Sequence, residues 1–215
     1  IEQLKDISIT SNGSLLTPDK IEKLISFGIK RLNFSLDTLD PKKFEQITRK
    51  NCFKKVWEAI ISSHELGISP VKINVVILKG INYDEIERMA AMTLDYPFHI
   101  RFIEYMPMGK TMVKNGQQVL TREIRERIEA EFGHLKPVSR MENDGPAKKF
   151  KINGAKGIVG FITPISSHFC NECNRLRLTS GGTLRPCLLH DYEKDLISPL
   201  RKGATDEELK AIILN

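Results

Sequence analysis

The chain has 215 residues, of which 40% are hydrophobic and 28% charged, with a formal net charge of +6. That composition is ordinary for a soluble globular protein and argues against disorder, and no apolar run approaches the roughly 18–20 residues needed to cross a bilayer. Lys and Arg form no concentrated stripe of the kind that nucleic acid selects, so no nucleic-acid or membrane partner is expected, and the spread excess of positive charge suits a phosphate-bearing small molecule.

No secretory signal is visible at the start, which points to a cytoplasmic protein. The chain opens on Ile1 rather than Met and so reads as a fragment. From residue 6 to about 133, β-branched runs alternate with amphipathic helical patterns. Strands are predicted at Asp6–Thr10, Arg31–Leu36, Val71–Ile77 and Phe98–Glu104. Thr17 then Pro18 open a first helix that Gly28 closes, and Asp40 then Pro41 open a second. Further helices are predicted at Phe53–Glu65 with Gly67 behind it, at Asp84–Leu94, and at Thr121–Phe132 before Gly133. Repeated βα units of this length imply a parallel sheet, either open or curled into a partial barrel. After Pro137 the texture changes to Gly, Asn and Pro with short apolar runs at Gly157–Ile162 and Arg175–Leu178. Thr205 and Glu208 make a capping-box pattern before a last helix. Two domains are expected, 1–135 and 136–215.

Strands of a parallel sheet covered on both faces are almost wholly apolar, and three of these are not. Ser8, Thr10 and Asn12 alternate with Ile7, Ile9 and Ser11; Asn33, Ser35 and Asp37 alternate with Leu32, Phe34 and Leu36; Lys72 and Asn74 alternate with Val71, Ile73 and Val75. Successive side chains point to opposite faces, so one face is polar. An open sheet with a solvated face would explain this, and so would a half-barrel whose lumen holds a polar ligand. Ligands of such folds sit beyond the carboxyl ends of the strands, which directs attention to Thr10, Asn12, Ser35, Asp37, Glu104 and Met106. His64, His99 and His134 show no companion pattern and read as ordinary helix or loop residues.

The strongest local signal is Cys170-Asn171-Glu172-Cys173 followed, thirteen residues on, by Cys187. The turn Ser180-Gly181-Gly182 folds Arg175–Thr179 against Thr183–Cys187. If Thr179 pairs with Thr183, then Cys173, Arg175, Arg177, Arg185 and Cys187 share one face, and Leu176, Leu178 and Leu184 the other. Three thiolates suit a closed zinc site with His168 or His190 as fourth ligand, or an iron–sulfur cluster with one iron left open. The arginines form a fork suited to phosphate, or else pair with acids on a solvated face. Cys52 stands alone and reads as a buried structural thiol.

The run from Ser167 to Leu178 (Ser-His-Phe-Cys-Asn-Glu-Cys-Asn-Arg-Leu-Arg-Leu), closed by Leu184-Arg185-Pro186-Cys187-Leu188, resembles the C-terminal cluster motif of the GTP 3′,8-cyclase family. Thr10-Ser11-Asn12-Gly13, Asn33-Phe34-Ser35-Leu36-Asp37, Val71-Lys72-Ile73-Asn74-Val75-Val76 and Arg101-Phe102-Ile103-Glu104-Tyr105-Met106 match that family in the same order. These are radical S-adenosylmethionine enzymes that open molybdenum cofactor biosynthesis. The resemblance implies an α/β fold, a partial (β/α) barrel of radical-SAM type with a C-terminal iron–sulfur domain. It implies conversion of GTP to (8S)-3′,8-cyclo-7,8-dihydroguanosine 5′-triphosphate, through a 5′-deoxyadenosyl radical that takes hydrogen from the 3′ carbon of GTP.

Carried over position by position, the resemblance assigns Ser35 and Met106 to S-adenosylmethionine, and Thr10, Lys72, Arg175 and Arg177 to GTP. Cys170, Cys173 and Cys187 would hold a 4Fe-4S cluster whose open iron binds the guanine. It further implies a cyclic pyranopterin phosphate synthase as pathway neighbour, a homodimer as an admissible state, and a cytoplasmic or, in a eukaryote, mitochondrial-matrix location. The sequence lacks the family's CxxxCxxC loop and its glycine-rich S-adenosylmethionine motif. A second 4Fe-4S cluster is therefore expected only in the full-length protein, and these residues alone are not expected to generate the radical. The competing expectation is a zinc-stapled nucleotide-binding module without catalysis.

Overall fold

A computed structural model describes residues 6–107, 116–139, 144–167, 170, 173 and 175–214. They fall into two compact units, one within Ile1–Tyr105 and Val113–His168, the other within Met106–Met112 and Phe169–Asn215.

The first unit is built on strands β1 (Ser8–Ser11), β2 (Arg31–Ser35), β3 (Val71–Val76), β4 (His99–Ile103), β5 (Lys136–Pro137), β6 (Lys148–Lys151) and β7 (Ile158–Ile162). They form one sheet in the order β1-β2-β3-β4-β7-β6-β5, in which β1 to β4 and β7 run parallel and β5 and β6 add an antiparallel hairpin. Helices α1 (Pro18–Ser26), α2 (Pro41–Thr48), α3 (Phe53–Glu65), α4 (Ile86–Asp95) and α5 (Thr121–Phe132) connect the strands. The core lies between helices and sheet. Leu32, Phe34, Ile73, Ile100 and Phe102 from the strands are wholly buried with Ile21, Val56, Ile60, Met89 and Ile128 from the helices. Each such side chain contributes about 1.5–3 kcal/mol by leaving water.

Local chemistry sets the helix ends. The Asp40 side chain accepts from the backbone N–H groups of Lys42 and Lys43 at 2.7 and 3.2 Å, capping α2. Behind α1, Gly28 N–H donates to Ile25 and Ile29 N–H to Leu24, a Schellman closure repeated by Gly67 and Ile68 behind α3. Thr17 occupies the N-cap of α1 in extended conformation, but its side chain makes no capping bond, so Pro18 alone marks that start. The expected helix from Asp84 begins instead as a single 3₁₀ turn, Tyr83–Glu85, before α4.

The two compact units divide at a different place from the expected residue 135. The apolar run at Ile158–Ile162 is the fifth parallel strand, hydrogen-bonded beside β4, so the segment up to about residue 167 belongs with the sheet. Gly157 permits this approach, because a Cβ there would stand 2.2 Å from the Phe98 carbonyl oxygen.

The second unit carries β8 (Arg177–Leu178), β9 (Thr183–Arg185) and β10 (Lys194–Asp195) in the order β10-β9-β8, all antiparallel, followed by α6 (Ile197–Arg201) and α7 (Asp206–Leu214). Thr205 and Glu208 form the expected reciprocal cap: Glu208 Oε2 accepts from Thr205 N–H at 2.8 Å, and Thr205 Oγ1 accepts from Glu208 N–H at 3.3 Å. Among the described residues, no helix is long and apolar enough to cross a membrane.

Candidate functional site

Strand register decides what faces what on the polar side of the sheet. Thr10 pairs with Asn33, Asn33 with Lys72, and Lys72 with His99, while Ser35 pairs with Asn74 and Asn74 with Arg101. Neighbours in register share a face, so these side chains form two polar rows across four strands. Asn33 links them. Its Nδ2 donates to Thr10 Oγ1 at 3.2 Å, and its Oδ1 accepts from Arg101 Nη2 at 2.8 Å. Arg101 extends over Gly160, where a Cβ would come within 3.2 Å of its Cγ. Lys149 of β6 pairs with the same glycine and so joins this face.

Lys72 is only 8% exposed, and among the described residues it makes no hydrogen bond or ion pair. Burial, then the nearby guanidinium groups of Arg101 and Arg31, push its ammonium down to about 8. Burial, then the nearby charges of Lys72, Lys149 and Arg101, push His99 down to about 4, leaving a neutral imidazole at physiological pH. Arg101 is lowered to about 10 by burial and by Arg31, which itself pairs with Asp6. The Oδ1 of Asn74 and the Nε atoms of Arg31 and Arg101 are buried without a hydrogen-bond partner. Unmet groups of this kind cost about 1–3 kcal/mol each, so a concentration of them marks a surface made for a polar ligand. The excess of cations suits an anion.

Not every residue expected at the strand ends faces this space. Glu104 is 2% exposed and accepts from Thr121 N–H and Oγ1, from Ile165 N–H and from Ser166 N–H and Oγ. Burial raises the affinity of this carboxylate for a proton, but the five donors outweigh it and hold its pKa below the ordinary value. Asp37 accepts from Val76 N–H at 2.8 Å, and Asn12 from Ser14 N–H and Oγ. All three are loop anchors. Thr10 and Ser35 are exposed, and Met106 is half-buried. His99, Arg101 and Lys149 were passed over in the sequence. The first two follow the alternation of β4, whereas Lys149 lies on an antiparallel hairpin whose register is invisible in the sequence.

In the second unit the predicted hairpin register holds. Thr179 N–H donates to Thr183 O at 2.9 Å, and Arg177 lies opposite Arg185. The ladder ends there, short of Arg175 and Cys187. Arg185 is engaged with Asp191 at 3.1 Å and Glu193 at 3.4 Å, the ordinary ion-pairing role. Cys173 N–H donates to Cys170 O at 3.1 Å, folding those two residues into a turn. The Arg175 N–H is the main influence holding the Cys173 thiol below its usual pKa, helped by the Arg175 and Arg177 side chains and opposed by burial. Leu189 N–H donates to Cys187 Sγ at 3.4 Å. Backbone donors on sulfur and flanking cations are what thiolate ligands of a metal or cluster require. Among the described residues, however, no three His, Cys, Asp or Glu side chains stand close enough to hold one metal. His168, Phe169, Asn171, Glu172 and Asn174 of the motif lie outside the described residues. His190 is exposed, and Cys52, expected to be buried, packs half-buried against the core of the first unit.

Comparison with known proteins gives two family matches along the chain. The model of the Radical SAM superfamily matches residues 1–93, and that of Molybdenum Cofactor Synthesis C matches residues 98–215. The GTP 3′,8-cyclase of Thermodesulfovibrio yellowstonii is 47% identical over 215 residues, covering 100% of this chain and 66% of that protein. The GTP 3′,8-cyclase of Pelotomaculum thermopropionicum is 45% identical with the same coverage, 100% and 66%. The chain thus spans just under two thirds of the length of these relatives. Among solved structures, Streptococcus suis SuiB superposes with a TM-score of 0.59 at 16% identity, over 97% of this chain and 51% of that one, which supports the fold. With the strand β7, the hairpin of cysteines and the terminal helices all inside the matched region, the chain belongs to the Molybdenum Cofactor Synthesis C family.

Proposed function

We propose that this chain is the nucleotide-binding and C-terminal cluster-binding part of a GTP 3′,8-cyclase. The observation that carries the reading is Lys72, a lysine only 8% exposed that makes no hydrogen bond or ion pair among the described residues, in a polar face built from Thr10, Asn33, Asn74 and Arg101. An isolated buried charge is unfavourable until an anion meets it. A nucleoside triphosphate supplies such an anion, and Lys72 and Thr10 are assigned to it.

Ser35 and Met106 are assigned to S-adenosylmethionine. Cys170, Cys173 and Cys187 are assigned to a 4Fe-4S cluster, for which the donor chemistry is suited by the lowered Cys173 thiol and the N–H on Cys187 Sγ. When bound, the C-terminal cluster would hold the guanine, and S-adenosylmethionine would supply radical chemistry at the ribose only together with the second cluster of the full-length protein. The part of this chain's residues is to bind and orient: Lys72 neutralises phosphate, Asn33 holds Arg101 and Thr10 in place, and the apolar floor of the sheet excludes water beneath them. Arg175 and Arg177 add two cations on the cysteine hairpin, and each charge-assisted bond they make to GTP contributes about 1.5–3 kcal/mol.

Titration calorimetry with GTP under anaerobic conditions tests this reading, alongside iron, sulfide and zinc analysis. Replacement of Arg175 and Arg177 by Ala, or of Lys72 by Met, is expected to weaken GTP binding at least tenfold (about 1.4 kcal/mol). GTP binding indifferent to all three changes, with stoichiometric zinc and no labile sulfide, would establish the zinc-stapled module instead.

A further inference from the structure

The polar face holds a second ion-bearing element that the assigned nucleotide contacts leave unused. Lys149 Nζ lies 2.5 Å from Asp144 Oδ2, and the two side chains are only 9% and 12% exposed. Both line the pocket formed with Lys72, His99, Arg101 and Gly160. Lys149 reaches it because β6 runs antiparallel to β7 and sets Lys149 opposite Gly160, which in turn lies beside Arg101. Three cations therefore face one carboxylate across a confined space, with a neutral imidazole as the fifth polar wall. The surplus is two positive charges, which no described protein group offsets. Asp144 occupies the place of an anion.

We propose that Lys149 is an additional phosphate-contacting residue of the nucleotide site, and that Asp144 is an internal counter-ion which an incoming phosphate displaces from it. The inference rests on the nucleotide reading above and deepens it. Without ligand, the pair keeps Lys149 oriented toward the pocket at low cost. With ligand, phosphate oxygens replace the carboxylate at Lys149 and add Lys72 and Arg101, which Asp144 alone does not satisfy. A salt bridge that merely pinned the β5–β6 hairpin would behave differently, because Lys149 would then touch no ligand and Lys149→Met would bind the anion with close to parental affinity.

The test is calorimetric titration of the chain with inorganic tripolyphosphate and, separately, with GTP. Asp144→Asn is expected to tighten tripolyphosphate binding about tenfold, since one repulsive charge leaves the pocket. That gain appears even as the ligand-free variant loses thermal stability, and misfolding cannot produce it. Lys149→Met is expected to weaken both ligands about tenfold or more, while Lys149→Arg retains them. Failure of Asp144→Asn to tighten binding, or parental affinity in Lys149→Met, overturns the inference. Lys72→Met separates the two levels. If it abolishes binding while Lys149→Met does not, only the role of the Asp144–Lys149 pair falls. If Lys72→Met binds like the parent, the nucleotide site itself is elsewhere.

Discussion

Replacing Lys72 by Met is expected to make the ligand-free chain more stable, although it removes a residue assigned to substrate. The folded environment lowers this ammonium from 10.5 to about 8, chiefly through burial and then through Arg101 and Arg31. Each unit corresponds to about 1.4 kcal/mol, so carrying the charge at pH 7 costs the fold at most about 3.5 kcal/mol. Met has similar length and no charge, and a measured gain of about 1–3 kcal/mol is expected. The pH dependence carries the sign. Between pH 8 and 10.5 the unfolded chain holds a proton that the folded chain has released, so the parent's stability climbs with pH across that window. The variant has no such slope, and its advantage shrinks to nothing above pH 10.5. Urea denaturation followed by fluorescence measures this directly, because Trp57 is the chain's single tryptophan and sits on α3 beside the core of the same unit. A variant less stable than the parent at pH 7, or a parent without the alkaline rise, would mean that Lys72 is paired and the anion site is wrongly placed.

Glu104→Ala is expected to lower the melting temperature sharply and cost about 3 kcal/mol or more, because it orphans backbone donors at Thr121, Ile165 and Ser166. The depressed pKa of Glu104 makes its contribution complete at neutral pH and lost as pH falls through its folded value. Gly157→Ala forces a Cβ against the Phe98 carbonyl and should separate β7 from β4, read as loss of amide exchange protection in Ile158–Ile162. The His99 imidazole is expected to remain neutral from pH 8 down to 5.5 by nitrogen-15 NMR, since its pKa is about 4. Its burial makes stability decline as the pH falls from 6.5 toward 4, and a titration near 6.5 would show that the pocket is open to water.

Periodicity and punctuation alone determined a good deal. Alternation along Arg31–Ser35 and Val71–Val76 showed a sheet with one polar face, because side-chain direction in a strand depends only on residue parity. Helix ends such as Asp40 and Gly28 were legible because capping is chemistry between residues a few positions apart. The turn at Ser180-Gly181-Gly182 set the hairpin register for the same reason.

What the tertiary structure decided involves residues distant in the chain. That Ile158–Ile162 is the fifth parallel strand depends on pairing with β4, more than fifty residues earlier. Glu104, Asp37 and Asn12 carry the same carboxylate and amide groups as ligand-binding residues do, and only their backbone partners show them to be anchors. Lys149 and Asp144 entered the pocket through a register that no local signal encodes. Short-range geometry is written in spacing, whereas burial, and with it the lowered pKa of Lys72, exists only once remote strands have come together.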